Sequence, residues 1–204
     1  MSDRQDVASL YSPRSDRRQL WKAAIKWPLY SIAVMPVLLA AGWRLGANLD
    51  VRIDQLFGFL LASVLLLLWE NLTNDLFDAE TGVDKNSKPH SVVALVGSRK
   101  PIRRLAYISL FLGLLLMLFL ALRSNHAVLF LVITSCALGY LYQGPPFRLG
   151  YQGLGEPLCW LAFGPFATAS ALIVVAPRLD YLAGVPWVTA LSASASSSSA
   201  WSLL

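Results

Sequence analysis

Four stretches of this chain carry no charge over lengths that water-soluble folds rarely sustain. Lys26 and Arg44 bracket 17 uncharged residues, Asp54 and Glu70 bracket 15, Arg104 and Arg123 bracket 18, and Glu156 and Arg178 bracket 21. Each comes near the ~20 residues a helix needs to cross the hydrocarbon layer of a bilayer. Composition agrees: 56% of residues are hydrophobic and 14% charged, against roughly 45–50% and 25% in ordinary globular chains. A soluble domain, a secreted disulfide scaffold and a disordered chain are excluded. The expected fold is all-α, a polytopic transmembrane helix bundle.

The runs set the layout. Residues 1–26 form a polar N-terminal segment, and spans are expected over 27–46, 54–73, 104–123, 127–143 and 157–177, with a sixth beginning near Tyr181. Pro36 suggests a kink in the first. Two polar loops, 74–103 and 143–156, separate the spans, and the Gly and Pro of the second make it turn-rich. The membrane portion ends near 190. Residues 191–204 hold seven serines in fourteen positions and read as a low-complexity tail foreign to the rest, such as a frameshift or truncation would leave. Cys136 and Cys159 lie inside apolar runs and read as buried small hydrophobes.

Basic residues give the bundle a direction. With the N-terminus inside, inner segments hold 13 Lys and Arg, and outer segments hold four: Arg44, Arg52, Arg123 and Arg178. Positive charge accumulates on the cytoplasmic side, so the N-terminus and both polar loops are expected there. The net charge of +5 is thereby explained without a nucleic-acid partner. The two loops can line one pocket.

The second span ends in an unusual way, Glu70-Asn71-Leu72-Thr73-Asn74-Asp75-Leu76-Phe77-Asp78-Ala79-Glu80-Thr81-Gly82-Val83-Asp84. Asn74, Asp75 and Asp78 share one helical face, with Asn71 a turn earlier, and Gly82 lets the chain bring Asp84 back. Acids at a helix C-terminus oppose the macrodipole, so clustered oxygens there call for positive charge. Hard oxygen donors suit Mg²⁺, which keeps waters and bridges to phosphates. Lys85 and Lys88 follow at once, with Arg99, Lys100, Arg103 and Arg104 beyond, able to neutralise a diphosphate. Glu70 reads as a cap at the interface, and His90 as a polar loop residue. The acid pattern of the CDP-alcohol phosphotransferases is missing from 70–104.

Asn74-Asp75-x-x-Asp78-x-x-x-Gly82-x-Asp84 resembles the first Asp-rich motif of the UbiA superfamily of membrane prenyltransferases. The loop Tyr142-Gln143-Gly144-Pro145-Pro146-Phe147-Arg148-Leu149-Gly150-Tyr151-Gln152-Gly153-Leu154-Gly155-Glu156 is similar to that of the 1,4-dihydroxy-2-naphthoate prenyltransferase branch. Trp69-Glu70-Asn71 and Lys88-Pro89-His90-Ser91 resemble its cyanobacterial, phytyl-transferring members. The resemblance covers about residues 20–190. It implies that Mg²⁺ binds the diphosphate of an allylic prenyl donor, that the allylic C–O bond ionises, and that the naphthoate ring attacks the cation and loses its carboxylate. It assigns metal binding to Asn74, Asp75, Asp78 and Asp84, diphosphate binding to Lys85, Lys88 and Arg148, and a substrate pocket to Asn71, Tyr142 and Tyr151. No catalytic residue is assigned. The membrane implied is an inner (plasma) or thylakoid membrane.

The family fold has nine helices and a second Asp-rich motif, whereas five or six helices are expected here. After Asp84 the only acids are Glu156 and Asp180. From that the chain is expected to be inactive by itself, and its competitor is a non-catalytic membrane remnant or partner with a vestigial site.

Overall fold

The computed structural model describes residues 26–81 and 91–176. The expected sixth span near Tyr181, the serine-rich tail, and Asp84, Lys85 and Lys88 lie outside these residues. In chain order the elements are α1 (Trp27–Gly46), α2 (Ile53–Thr81), α3 (Val92–Val96), α4 (Arg99–Arg123), α5 (Ala127–Gln143), a 3-10 turn (Leu149–Gln152), α6 (Gly155–Leu161), a π turn (Ala162–Phe166) and α7 (Ala167–Val175). No strand occurs among the described residues, and the all-helical expectation holds.

Among the described residues, four stretches are long and apolar enough to cross a membrane: Leu29–Gly46, Ile53–Thr81, Arg99–Arg123 and Gly155–Val175. The expected fourth span, α5, is a helix of 17 residues, at the lower limit for crossing. α1 runs through Pro36 as one helix. The last span is continuous only because it widens at the π turn, which contains Pro165. Proline has no N–H and its ring crowds the carbonyl four residues back, and a wider turn relieves both.

The largest departure from expectation concerns α2. It does not stop at Thr73 but continues two more turns to Thr81, through the acidic motif. Leu72 and Leu76 stay buried at helical spacing and pack with Trp69 against Val93, Ile102 and Ala106, so the apolar stripe outlasts the apolar composition. Arg99 Nη2 donates to the Ala79 carbonyl at 2.8 Å, a cation on the orphan carbonyls of the helix end. With 29 residues, α2 is about 43 Å long.

The bundle is apolar outside and close-packed inside. Met35, Leu39, Phe57, Phe111, Phe119 and Phe130 are exposed, as befits a surface facing lipid tails. α7 is the central helix, buried from Ser170 to Ala176, with α1, α2 and α5 around it. Small residues (Ala40, Ala62, Ala106, Gly113, Ala121) let the backbones approach, as in other membrane bundles. At Gly113 an added Cβ would stand 2.8 Å from Leu66 Cδ2 and 3.4 Å from Leu65 Cβ. Gly113→Val is therefore expected to lower stability by about 1–2 kcal/mol through overpacking of α4 on α2. Thermal unfolding in detergent checks this; an unchanged midpoint would refute the contact.

At the end of the bundle away from the acidic motif, Arg52 donates its backbone N–H to the Val175 carbonyl at 2.8 Å. Arg52 Nη2 and Arg123 Nη1 flank Asp54 Oδ2 at 3.6 and 3.8 Å. These exposed pairs contribute little energy, but they place two of the four outer basic residues, Arg52 and Arg123, at one level.

Candidate functional site

Asp75 and Asp78 are three residues apart on α2 and almost fully buried. Buried carboxylates need partners, and each has a cation. Lys26 Nζ stands 3.1 Å from Asp75 Oδ1, and the Val92 backbone N–H donates to Oδ2 at 2.9 Å. Arg148 Nη2 stands 2.7 Å from Asp78 Oδ1, which also accepts a short hydrogen bond from the Tyr151 hydroxyl. The Arg148 guanidinium lies over the Tyr151 ring at 4.4 Å. The Gly/Pro loop, some 70 residues further along the chain, thus meets this face of α2.

The two cations are held at a conformational cost. Among the described residues, Lys26 (φ 51°) and Arg148 (φ 45°) are two of the three non-glycine residues with positive φ, Asn48 being the third. Left-handed backbone costs an L-residue roughly 1–2 kcal/mol, and such strain gathers at functional sites. The Gly/Pro loop fixes Arg148 from within. Its backbone N–H donates to the Gly144 carbonyl at 3.0 Å, the Tyr140 hydroxyl to the Pro145 carbonyl at 2.8 Å, and Gln152 Nε2 to the Phe147 carbonyl at 2.8 Å. Gly150 and Gly155 crowd the Tyr142 ring so closely that a Cβ at either would come within 2.9 Å of it. The glycines therefore fix where Tyr142 stands.

Beside this cluster opens a cavity of about 910 Å³. Its polar end is lined by Lys26, Glu70, Asn71, Asn74, Tyr142 and Gln143, and its apolar length by residues of α1 and of the last span, including Ile32, Met35, Leu39, Trp160 and Phe163. Asn71, Asn74 and Tyr142 thus share one wall of this cavity. Tyr151 is not on that wall; it stands at Asp78. Arg148 reaches Asp78 as well. Among the described residues, no three His, Cys, Asp or Glu side chains converge closely enough to hold a metal ion.

Three contributors escape a sequence reading. Lys26 is 49 residues from Asp75 and carries no local signal. Gln143 Nε2 donates to Thr73 Oγ1 at 2.6 Å, a pairing across 70 residues. Glu70 does not cap an interface; it lies within the bundle and lines the cavity. Its position four residues before Asn74, on the same helical face, was the available clue.

A model of the UbiA prenyltransferase family matches residues 33–204. The chain is 40% identical over 172 residues to a 2-carboxy-1,4-naphthoquinone phytyltransferase of Synechocystis sp., covering 84% of this chain and 55% of that protein. It is 44% identical over 176 residues to the chloroplastic protein of the same name from Arabidopsis thaliana, covering 83% and 45%. A 1,4-dihydroxy-2-naphthoate octaprenyltransferase of Mycobacterium tuberculosis is 31% identical over 154 residues, covering 74% and 52%. The chain spans about half the length of these relatives. No solved structure gives a significant match.

Proposed function

Because the chain belongs to the UbiA prenyltransferase family, we propose that the whole protein transfers a prenyl group, phytyl in the first instance, from its diphosphate to 1,4-dihydroxy-2-naphthoate. The step serves quinone biosynthesis, and this stretch supplies the site for the donor's diphosphate. The observation that carries the reading is the cavity, with Lys26, Asn71 and Asn74 lining its polar end and apolar side chains along the rest. That is the outline of an amphiphile with an anionic head.

Magnesium belongs to this reading as a proposal. The donor set is all oxygen, which suits a hard cation, and both carboxylates already draw positive charge from within the chain. Asn74, Asp75, Asp78 and Asp84 would hold the ion, with Lys26 yielding its place on Asp75 and substrate phosphates completing the shell. When bound, it supplies charge that stabilises the departing diphosphate. The rest is work for side chains. Arg148 and Lys26, with Lys85 and Lys88, neutralise phosphate oxygens as the allylic C–O bond breaks and its electron pair leaves on the diphosphate. Trp160, Phe163, Met35 and Leu39 keep water from the carbocation. A ring carbon of the naphthoate then supplies the pair for the new C–C bond. The reading puts this end of the bundle on the cytoplasmic side of a plasma or thylakoid membrane, and the bias in basic residues supports that orientation.

Titrating the chain in lipid nanodiscs with pyrophosphate, with and without Mg²⁺, tests the reading. Coupled binding is expected, each ligand tightening the other by about tenfold or more, a linkage near 1.4 kcal/mol. Independent binding, or none, would overturn it.

A further inference from the structure

Eight residues before Asp78 on α2, a carboxyl group stands inside the bundle with nothing of the protein's own to hold. Glu70 lines the large cavity and a smaller apolar one beside it. Among the described residues no hydrogen bond or ion pair reaches it. Its boundary on α5 is Gly139, where a Cβ would come 3.0 Å from Oε1, so the helix leaves that space to the carboxyl. The helical rise puts Glu70 about 12 Å from Asp78 along the axis. An ionisable group at that depth is costly, and such groups face substrate pathways.

Two neighbours on the same cavity wall are also incomplete. Thr73 Oγ1 donates to the Trp69 carbonyl at 2.8 Å, so Gln143 must present its NH₂ to Thr73. That fixes the carboxamide and leaves Gln143 Oε1 buried without a partner. The Asn71 side chain is engaged with the Tyr30 hydroxyl, and its buried Nδ2 makes no further bond of standard geometry. A carboxyl and two carboxamides thus belong to side chains that line one cavity, with Gln143 Oε1 buried at its edge. Unmade hydrogen bonds of buried groups cost about 1–3 kcal/mol each, and one ligand can complete all three.

We infer that Glu70, Gln143 and Asn71 bind the aromatic co-substrate, a ring bearing hydroxyl and carboxylate groups, and that Glu70 takes the proton of a ring hydroxyl. This rests on the prenyl-transfer reading above. The hydroxyl O–H bond breaks, the proton moves to a Glu70 oxygen, and the electron pair stays on the ring oxygen, which makes the ring carbon a stronger nucleophile. After that carbon has bonded to the prenyl cation, the carboxylate leaves as CO₂ and its electron pair restores the aromatic ring. The ring oxygen then recovers its proton from Glu70. Gln143 accepts from the second hydroxyl, and Asn71 donates to the carboxylate.

The test compares the chain with Glu70→Gln in nanodiscs under nitrogen. Binding of 1,4-dihydroxy-2-naphthoate is followed by absorbance, binding of its dimethoxy analogue by competition, and pyrophosphate serves as the control for a folded site. The unaltered chain should prefer the dihydroxy ligand by about tenfold or more and shift its absorption to the red, the signature of a naphtholate. Glu70→Gln should abolish the red shift and cut the preference to about twofold, with pyrophosphate binding unchanged. A red shift and a preference that survive the substitution would overturn the inference, as would pyrophosphate binding without any binding of the naphthoate. Absence of pyrophosphate binding in the unaltered chain would instead bring down the prenyl-transfer reading, and this inference with it.

Discussion

Asp78→Ala is expected to destabilise the bundle by about 3–5 kcal/mol, the cost of leaving a buried cation unpaired. The burial of both partners decides the size of the effect. Asp78 is 1% exposed and Arg148 18%, so the guanidinium has little water to turn to. Its Nε is already buried without a partner, and its backbone is already strained. The Tyr151 hydroxyl loses its acceptor in the same stroke. The Gly/Pro loop should then detach from α2, and protease cleavage within 143–156 should accelerate alongside the lower unfolding midpoint in detergent. Asp78→Asn keeps the shape and an acceptor oxygen for Tyr151, and should recover part of the loss. A midpoint for Asp78→Ala indistinguishable from that of the unaltered chain would show that the pair contributes nothing. With Mg²⁺ present, pyrophosphate affinity should fall about 10–100-fold in either variant, because the proposed ion loses a carboxylate ligand.

Asp75→Ala should cost less, about 2–3 kcal/mol, although it also breaks two contacts. Lys26 is 29% exposed and can return to water, so its share is small. The larger part comes from the Val92 N–H, left without its acceptor at 2.9 Å. Asp75 ties the entrance of α1 and the start of α3 to α2, so its removal should be felt at a distance. Hydrogen exchange measured by mass spectrometry should show the Val92 amide losing protection. Asp75→Asn should restore that protection, because its carbonyl can accept from Val92, without restoring a negative charge for Lys26. Unchanged exchange at Val92 in Asp75→Ala would contradict the contact.

These two residues also show how much the sequence could say. Uncharged runs are a bulk property, so the membrane helices were legible, and α1 and α5 fall where expected. The motif on α2 was legible because positions three and four apart on a helix share a face. Less visible was that the helix itself carries on through the motif, since Leu72 and Leu76 keep it buried after composition has turned polar. Contacts across many residues leave no periodic trace. Nothing near Lys26 announces Asp75, and nothing near Thr73 announces Gln143. Glu70 was misread for a related reason: a carboxyl at a span's end looks like an interface cap until the helix proves two turns longer. The family resemblance assigned Arg148 to phosphate, and the structure adds that Asp78 of its own chain holds it.

The length of α2 has one more consequence. Its ~43 Å exceed the ~30 Å hydrocarbon layer, so its last turns reach headgroup depth and carry Asp75 and Asp78 there. An amphiphile meeting the protein at that level keeps its head in the polar layer and its tail among lipid tails throughout the encounter. Its concentration is then a mole fraction in a two-dimensional phase, not a molarity in solution. Adding inert lipid at constant substrate and protein should weaken apparent binding in proportion, whereas adding buffer should leave it nearly untouched. Affinities measured for such a site have meaning only when the lipid-to-substrate ratio is stated with them.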